Sequence, residues 1–259
     1  MWNEERTDDI GFGGLRLTQR PQEFCYGIDA VILADFAAGG GGRDKERCYG
    51  PDTALVDLGT GTGIIPLILS RKTASEAIAG VELQESSYAL AVRNIAQNSL
   101  AERIRIFRGG VEDKALPARM KAEMGREGFD AVICNPPYVT AQCGLMSSNE
   151  AKHTARHETS GSLEDFVACA AALLKDRGDF YMVHRPSRIV DILCLCRQYG
   201  LEPKALRLVM PRKDSAPNIL LLHCIKAAGQ ELKFLRALHV YEADGTYNEE
   251  IQSIYERIK

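Results

Sequence analysis

The stretch Val56-Asp57-Leu58-Gly59-Thr60-Gly61-Thr62-Gly63 decides the fold. An apolar, strand-like run precedes it and an apolar, helix-like run follows. Three glycines at alternate positions let the backbone turn tightly and bring a ligand against the main chain at the carboxyl edge of a sheet. A merely structural strand-to-helix turn has no need of three glycines beside an acid. The G-x-G-x-G spacing also differs from the G-x-G-x-x-G of dinucleotide-binding turns, and the Asp57 charge would repel a pyrophosphate.

Outward from this turn, short apolar runs alternate with helix-like stretches, the pattern of βα units that build a mostly parallel sheet. The reading predicts strands at 54–58, 78–82, 104–108, 131–134 and 179–183. Between them it places helices at 64–71, 86–97, 114–124 and 163–175, the last opened by Ser162 as N-cap. A helix at 187–198 and strands at 204–209 and 219–226 follow. The connection 210–218 is too short for a crossover helix, so the final two strands are expected to be antiparallel. Upstream, 14–18 reads as a short strand, 28–37 as an amphipathic helix and 39–42 as a flexible loop.

At 259 residues, 45% of them hydrophobic and 26% charged, the chain has material for a substantial core, which excludes disordered and collagen-like classes. Its net charge of −3 advertises no polyanion partner globally, so any such partner must meet a local patch. One candidate is 204–213, where Lys204, Arg207, Arg212 and Lys213 occur without an acid. No apolar run approaches the ~20 residues of a membrane span, and the acidic, polar start does not read as a signal peptide. A cytoplasmic protein is therefore expected. Eight cysteines without a C-x-x-C pair read as reduced core residues, not as a disulfide or zinc framework.

Nineteen residues beyond Gly63, Glu82 ends the second predicted strand, where a carboxylate can accept both hydroxyls of a ribose. Asp57 can accept from an ammonium, directly or through water. Acids at these two strand ends suit adenosine joined to an amino acid, which is S-adenosylmethionine.

The fourth predicted strand runs into Asn135-Pro136-Pro137-Tyr138. Two prolines fix the backbone and remove two donors, leaving carbonyls that only accept. An exocyclic amine is a poor nucleophile because its lone pair is delocalised. Acceptance of its two hydrogens by the Asn135 side chain and the Pro136 carbonyl favours the pyramidal form that can attack a methyl. Tyr138 offers a face for a planar target, worth roughly 1–3 kcal/mol per stacked base. Such a base would be flipped from its stack to reach the site.

These residues resemble class I S-adenosylmethionine-dependent methyltransferases of the amino-methylating N-P-P-Y group. More closely, the chain is similar to bacterial tRNA(Val) adenine-N6 methyltransferases along nearly its whole length. The resemblance includes 24–33 (FCYGIDAVIL), 57–63, 80–83 (GVEL), 135–138, 155–158 (ARHE), 182–186 (MVHRP) and 241–247 (YEADGTY). It implies a Rossmann-like class I methyltransferase α/β fold: a seven-stranded, mostly parallel sheet with an antiparallel last strand and helices on both faces. Residues 1–50 would be an N-terminal extension covering the cofactor, and 51–259 the catalytic domain. The cofactor neighbours would be Tyr26, Gly27, Asp29, Asp57, Gly59, Thr60, Gly61, Gly63, Glu82, Leu83 and Asn135, with Leu83 along the adenine. Asn135, Pro136, Pro137 and Tyr138 would form the catalytic set. One departure stands out. Such enzymes place an acid after the third strand to meet the adenine amino group, whereas this chain has Gly110, so backbone atoms or Glu112 must serve.

Substrate contacts are expected from Tyr138, Arg156, His157, Arg185, Arg207, Arg212 and Lys213, with His184 and Arg185 at a strand end facing RNA phosphate. His153 and His157 are four apart beside Glu158, but no third ligand is evident and the chemistry needs none, so no metal is expected. The tyrosines of the tail (Tyr241, Tyr247, Tyr255) read as packing. The expected activity is methylation of N6 of an adenine in tRNA. Alternatives are a release-factor glutamine amide, rRNA guanine N2, a nicotinamide oxidoreductase, and a catalytically inactive RNA-binding module. Membrane association and an obligate protein partner are not expected.

Overall fold

The computed structural model describes residues 5–22, 25–39, 49–138 and 161–256. Two short strands, β1 (Arg6–Asp9) and β2 (Arg16–Gln19), form an antiparallel hairpin ahead of helix α1 (Ile28–Ala38). Then follow β3 (Ala54–Leu58), α2 (Ile64–Lys72), β4 (Ala77–Glu82), α3 (Glu85–Gln97), β5 (Ile104–Arg108), α4 (Leu116–Met124) and β6 (Phe129–Cys134). After them come α5 (Leu163–Leu173), β7 (Leu174–His184), α6 (Ile189–Gln198), β8 (Leu201–Arg212) and β9 (Ile219–Lys226). Two short strands, β10 (Lys233–Phe234) and β11 (Leu238–Tyr241), and helix α7 (Glu249–Ile254) end the chain.

The seven expected strands lie in the order β5-β4-β3-β6-β7-β9-β8. Strand β9 runs antiparallel to both neighbours, as the short turn after β8 requires. The sheet is wider than expected: β10 and β11 both pair parallel with β8, giving nine strands. These additions cover the β8 edge that would otherwise present unpaired backbone groups.

Alternate residues of β3 face opposite layers. Leu55 joins a core with α1, α2 and α7, whereas Ala54, Val56 and Leu58 join one with α4, α5 and α6. Helix α1 buries Val31, Ile32, Leu33 and Ala34 in the first core beside Ile133 and Tyr181, so its apolar length is a sheet-covering layer. Helix α5 starts at a capping box, in which Ser162 and Asp165 satisfy each other's backbone donors. It stops at Leu173, two residues short of the expected end, because Leu174 already pairs with Phe129 of β6. The partners then jump to Asp179 and Ala131, so 175–178 bulge out of register. No described helix is long and apolar enough to cross a membrane.

Candidate active site

Parallel register brings four strand ends together. Leu58 is the Cα partner of Val81 in β4 and of Cys134 in β6, and Cys134 is that of Met182 in β7. Gly59, Glu82, Asn135 and His184 therefore stand at one edge of the sheet, at nearly one level.

The glycine turn is pinned to its neighbour: Gly59 and Thr60 donate their N–H groups to the Val81 carbonyl at 3.0 and 2.8 Å. Gly59, Gly61 and Gly63 have φ of 74°, 56° and 90°, left-handed values that disfavour any residue with a Cβ. Among the described residues, nothing would lie within 4 Å of a Cβ at Gly61, so this backbone is uncovered by them. Asp57 is fully buried, and neither of its oxygens has a hydrogen-bond partner among the described residues. Burial pushes its carboxyl up to about 8, with the Glu82 charge adding and the Thr60 hydroxyl opposing. Such a group awaits a donor, and a cationic one would serve best. Glu82 accepts from Gly61 N–H at 2.9 Å and Gln84 N–H at 2.8 Å. Burial raises its carboxyl, and these N–H groups oppose the rise. Leu83 follows it, half-buried.

Asn135 leaves β6 half-buried, followed by buried Pro136 and half-buried Pro137 and Tyr138. The Tyr138 hydroxyl donates towards Asp29 Oδ2 at 3.1 Å and also lies 3.4 Å from Asn135 Oδ1. Asp29 is in the first turn of α1, so the N-terminal segment reaches the N-P-P-Y turn directly. His184 meets the Tyr138 ring edge-on, with centroids 5.0 Å apart, and the Arg185 guanidinium lies 5.5 Å from that ring's centroid. A cleft of about 580 Å³ opens here, lined by Gly27, Asp29, Tyr138 and Arg185 and, from the turn after β8, by Pro217 and Asn218.

His184 departs from expectation. It is the last residue of β7 and only 4% exposed, its Nδ1 accepts the Arg185 N–H at 2.8 Å, and burial pushes its pKa down to about 4. It is a neutral wall of the site and not a phosphate contact; Arg185 is the exposed member of the pair. Tyr26 packs half-buried against the first core. The Glu112 carboxylate lies over Gly110, in the loop after β5. Arg212 and Lys213 are exposed at the end of β8, where the turn towards the cleft begins. Arg207 sits further down the strand, pairing with Glu250 at 2.6 Å and donating to the Arg236 carbonyl at 2.9 Å. Arg156 and His157, with His153, lie outside the described residues.

Asn94 escaped the sequence reading. It is fully buried in α3 and donates to the carbonyls of Thr62 and Thr18, both at 2.9 Å, while accepting from Thr18 N–H at 2.8 Å. It fastens the glycine turn to β2. Its signal was an amide on an otherwise apolar helix face, between Ala91 and Ile95.

Comparison with known proteins gives a consistent picture. The family model of the methyltransferase small domain matches residues 47–192. A tRNA1(Val) (adenine(37)-N6)-methyltransferase of Porphyromonas gingivalis is 26% identical over 247 residues, covering 94% of this chain and 92% of that protein. One of the same name from Mannheimia succiniciproducens is 29% identical, covering 71% of this chain and 68% of that one. Among solved structures, a predicted O-methyltransferase from Agrobacterium tumefaciens superposes with a TM-score of 0.64 at 22% identity, covering 88% of this chain and 95% of that one. That likeness establishes a common fold.

Proposed function

The chain belongs to the methyltransferase small domain family, and from that premise we propose that it methylates N6 of an adenine in tRNA, with S-adenosylmethionine as donor. The observation that carries this reading is the register of Leu58 with Cys134, because it sets the glycine turn and Asn135 side by side at one sheet edge. The near-full-length relatives named for tRNA adenine-N6 methylation favour that amine over others.

The residues present fit this cofactor. The buried Asp57 carboxyl, without a hydrogen-bond partner among the described residues, suits an ammonium that would draw off its proton, and the space those residues leave at Gly61 lets an amino-acid moiety approach the backbone. Glu82, already a double acceptor from N–H groups, suits ribose hydroxyls, with Leu83 along the adenine and Glu112 serving its amino group. Gly59, Thr60 and Gly63 shape the turn, and Tyr26 and Gly27 border the site from the N-terminal side, with Asp29 turned to the Tyr138 hydroxyl. When bound, this group supplies a methyl already activated on a sulfonium.

The chain's own task is then placement. Asn135 Oδ1 and the Pro136 carbonyl accept the two hydrogens of the adenine amine and turn its lone pair out of the ring plane. Pro137 stiffens that turn. Tyr138 stacks on the base, and Arg185 yields its place near that ring to meet phosphate. No side chain with a matched pKa is required: the newly methylated nitrogen is cationic and acidic and sheds one proton to solvent, and most of the acceleration comes from aligning amine and methyl. Arg212 and Lys213, with Arg156 and His157, are proposed RNA contacts. Arg207 supports them through its pair with Glu250.

The test is methyl transfer from labelled cofactor to total tRNA, rRNA and release factor. Label recovered as N6-methyladenosine in tRNA is expected; label only in protein or in guanosine would replace the reading.

A further inference from the structure

A phenol has one proton to give, and the Tyr138 hydroxyl stands between two acceptors. Asn135 Oδ1 is 3.4 Å away and Asp29 Oδ2 is 3.1 Å away. A proton directed at Asn135 would occupy a lone pair on the oxygen that must accept from the substrate amine. A carboxylate is the stronger acceptor and here also the nearer one. Asp29 is itself held: its Oδ1 accepts the Ala30 N–H at 2.9 Å. The carboxylate folds back over Gly27, where a Cβ would lie 2.6 Å from Oδ1. Residue 27 must therefore be small for Asp29 to keep this position. The ring of Tyr138 is steadied meanwhile by the edge of His184.

We infer that Asp29 is a positioning residue that draws the Tyr138 hydroxyl proton away from Asn135, leaving the amide oxygen for the incoming amine and fixing the ring on which the base stacks. The use made of Asn135 rests on the proposed function; the hydrogen bond between Asp29 and Tyr138 does not. This role is distinct from that of a cofactor ligand, because Asp29 acts through another side chain. It also ties the N-terminal segment to the catalytic turn across 109 positions of sequence. The Tyr138 hydroxyl keeps its proton at working pH, since burial and then the Asp29 charge hold its pKa far above the ordinary value.

The experiment uses the full chain with tyrosine labelled at the 13Cζ carbon, the Tyr138 resonance being assigned by its loss in Tyr138→Phe. In the free protein, Asp29→Ala is expected to move that resonance and Asp29→Asn, whose amide oxygen still accepts, to move it less. A resonance unmoved in Asp29→Ala overturns the inference whatever the substrate is. In methyl transfer, Asp29→Ala is expected to lower kcat about tenfold, the scale of one misdirected hydrogen bond, with KM for tRNA and cofactor Kd within twofold. Asp29→Asn should recover most of that loss, and Asp29→Ala should cost nothing further in a Tyr138→Phe background. Weakened cofactor binding, or additive losses in the double variant, would make Asp29 a direct ligand and overturn the inference. If the wild-type chain transfers no methyl to tRNA, the proposed function fails, and the resonance alone decides the role of Asp29.

Discussion

Glu112 folds its carboxylate back over Gly110, so that a Cβ at position 110 would overlap both carboxylate oxygens. Two features of the sequence, a missing acid after the third expected strand and a nearby glutamate, are thereby one arrangement. The glycine makes the room that the glutamate fills. Because the carboxylate is the free end of a flexible chain, Gly110→Ala should displace it with little loss of stability. Calorimetric titration with S-adenosylmethionine should show Gly110→Ala and Glu112→Ala both weakening binding, by about tenfold for one lost charged hydrogen bond. Unchanged affinity in both would leave the adenine to backbone atoms.

Asp57 makes the free protein sensitive to pH in a direction opposite to a paired carboxylate. Its folded pKa, about 8, lies above the ordinary 3.8, so between these values the folded chain holds a proton the unfolded chain has released. Stability from this group therefore falls as pH rises through that window. His184, held neutral down to about pH 4, works the other way below its ordinary 6.5, so the Asp57 trend is best read from pH 6.5 to 8.5. Thermal unfolding should show the wild type losing stability across this range and Asp57→Asn losing less. An ammonium brought to Asp57 favours the ionised form, so cofactor binding at pH 7 should release a proton. Calorimetry in buffers of different ionisation enthalpy would detect this; heats independent of buffer would contradict it.

Gly61→Ala tests the open face of the glycine turn. At φ of 56° the new methyl costs roughly 1 kcal/mol of backbone strain and projects into space where no described residue lies within 4 Å. A modest drop in thermal midpoint with a loss of cofactor affinity beyond tenfold is expected. A variant that binds cofactor normally would move the ligand away from this turn.

The basic residues of β8 should separate. Arg212→Ala with Lys213→Ala should weaken tRNA binding and lower the slope of log affinity against log salt by about 1 to 2, with cofactor affinity unchanged. Arg207→Ala should instead lower stability, because it leaves Glu250 and the Arg236 carbonyl without their donor. An unchanged salt slope in the double variant would place the docking surface elsewhere.

What the sequence disclosed follows from which forces are local. Most of the seven main strands were legible as apolar runs bounded by turn residues, β3 being buried along its whole length, whereas β5 (IRIFR) shows only alternation and β8, interrupted by charges, was legible over 204–209 of the 201–212 it spans. Strand β1 (RTDD) carries no apolar alternation, β10 has two residues and α7 only six, so these exist through pairing and packing that no window of sequence displays. The tail tyrosines pack, as expected, in a chain of stacked rings, Tyr241 on Tyr247, Tyr247 on Tyr255 and Tyr255 on Phe12, and that last partner lies too far away in sequence to be legible. In the site, the glycine turn and the N-P-P-Y turn were legible because each is a contiguous motif at a strand end. Asn94 on Thr62 and Asp29 on Tyr138 were not, because each joins distant positions through a single side chain. His184 was misplaced by one residue of strand: β7 runs on to 184, and the side chain ends buried against the Tyr138 ring, not in solvent.

The most direct test of the central claim, that Asn135 presents an acceptor to an adenine amine in tRNA, is the nucleoside profile of tRNA from cells lacking this protein, compared with the same cells carrying wild-type or Asn135→Ala protein. N6-methyladenosine is expected to fall in the deleted cells, to return with the wild type and to stay low with a folded, cofactor-binding Asn135→Ala. An unaltered tRNA profile on deletion, or full restoration by Asn135→Ala, would contradict the claim.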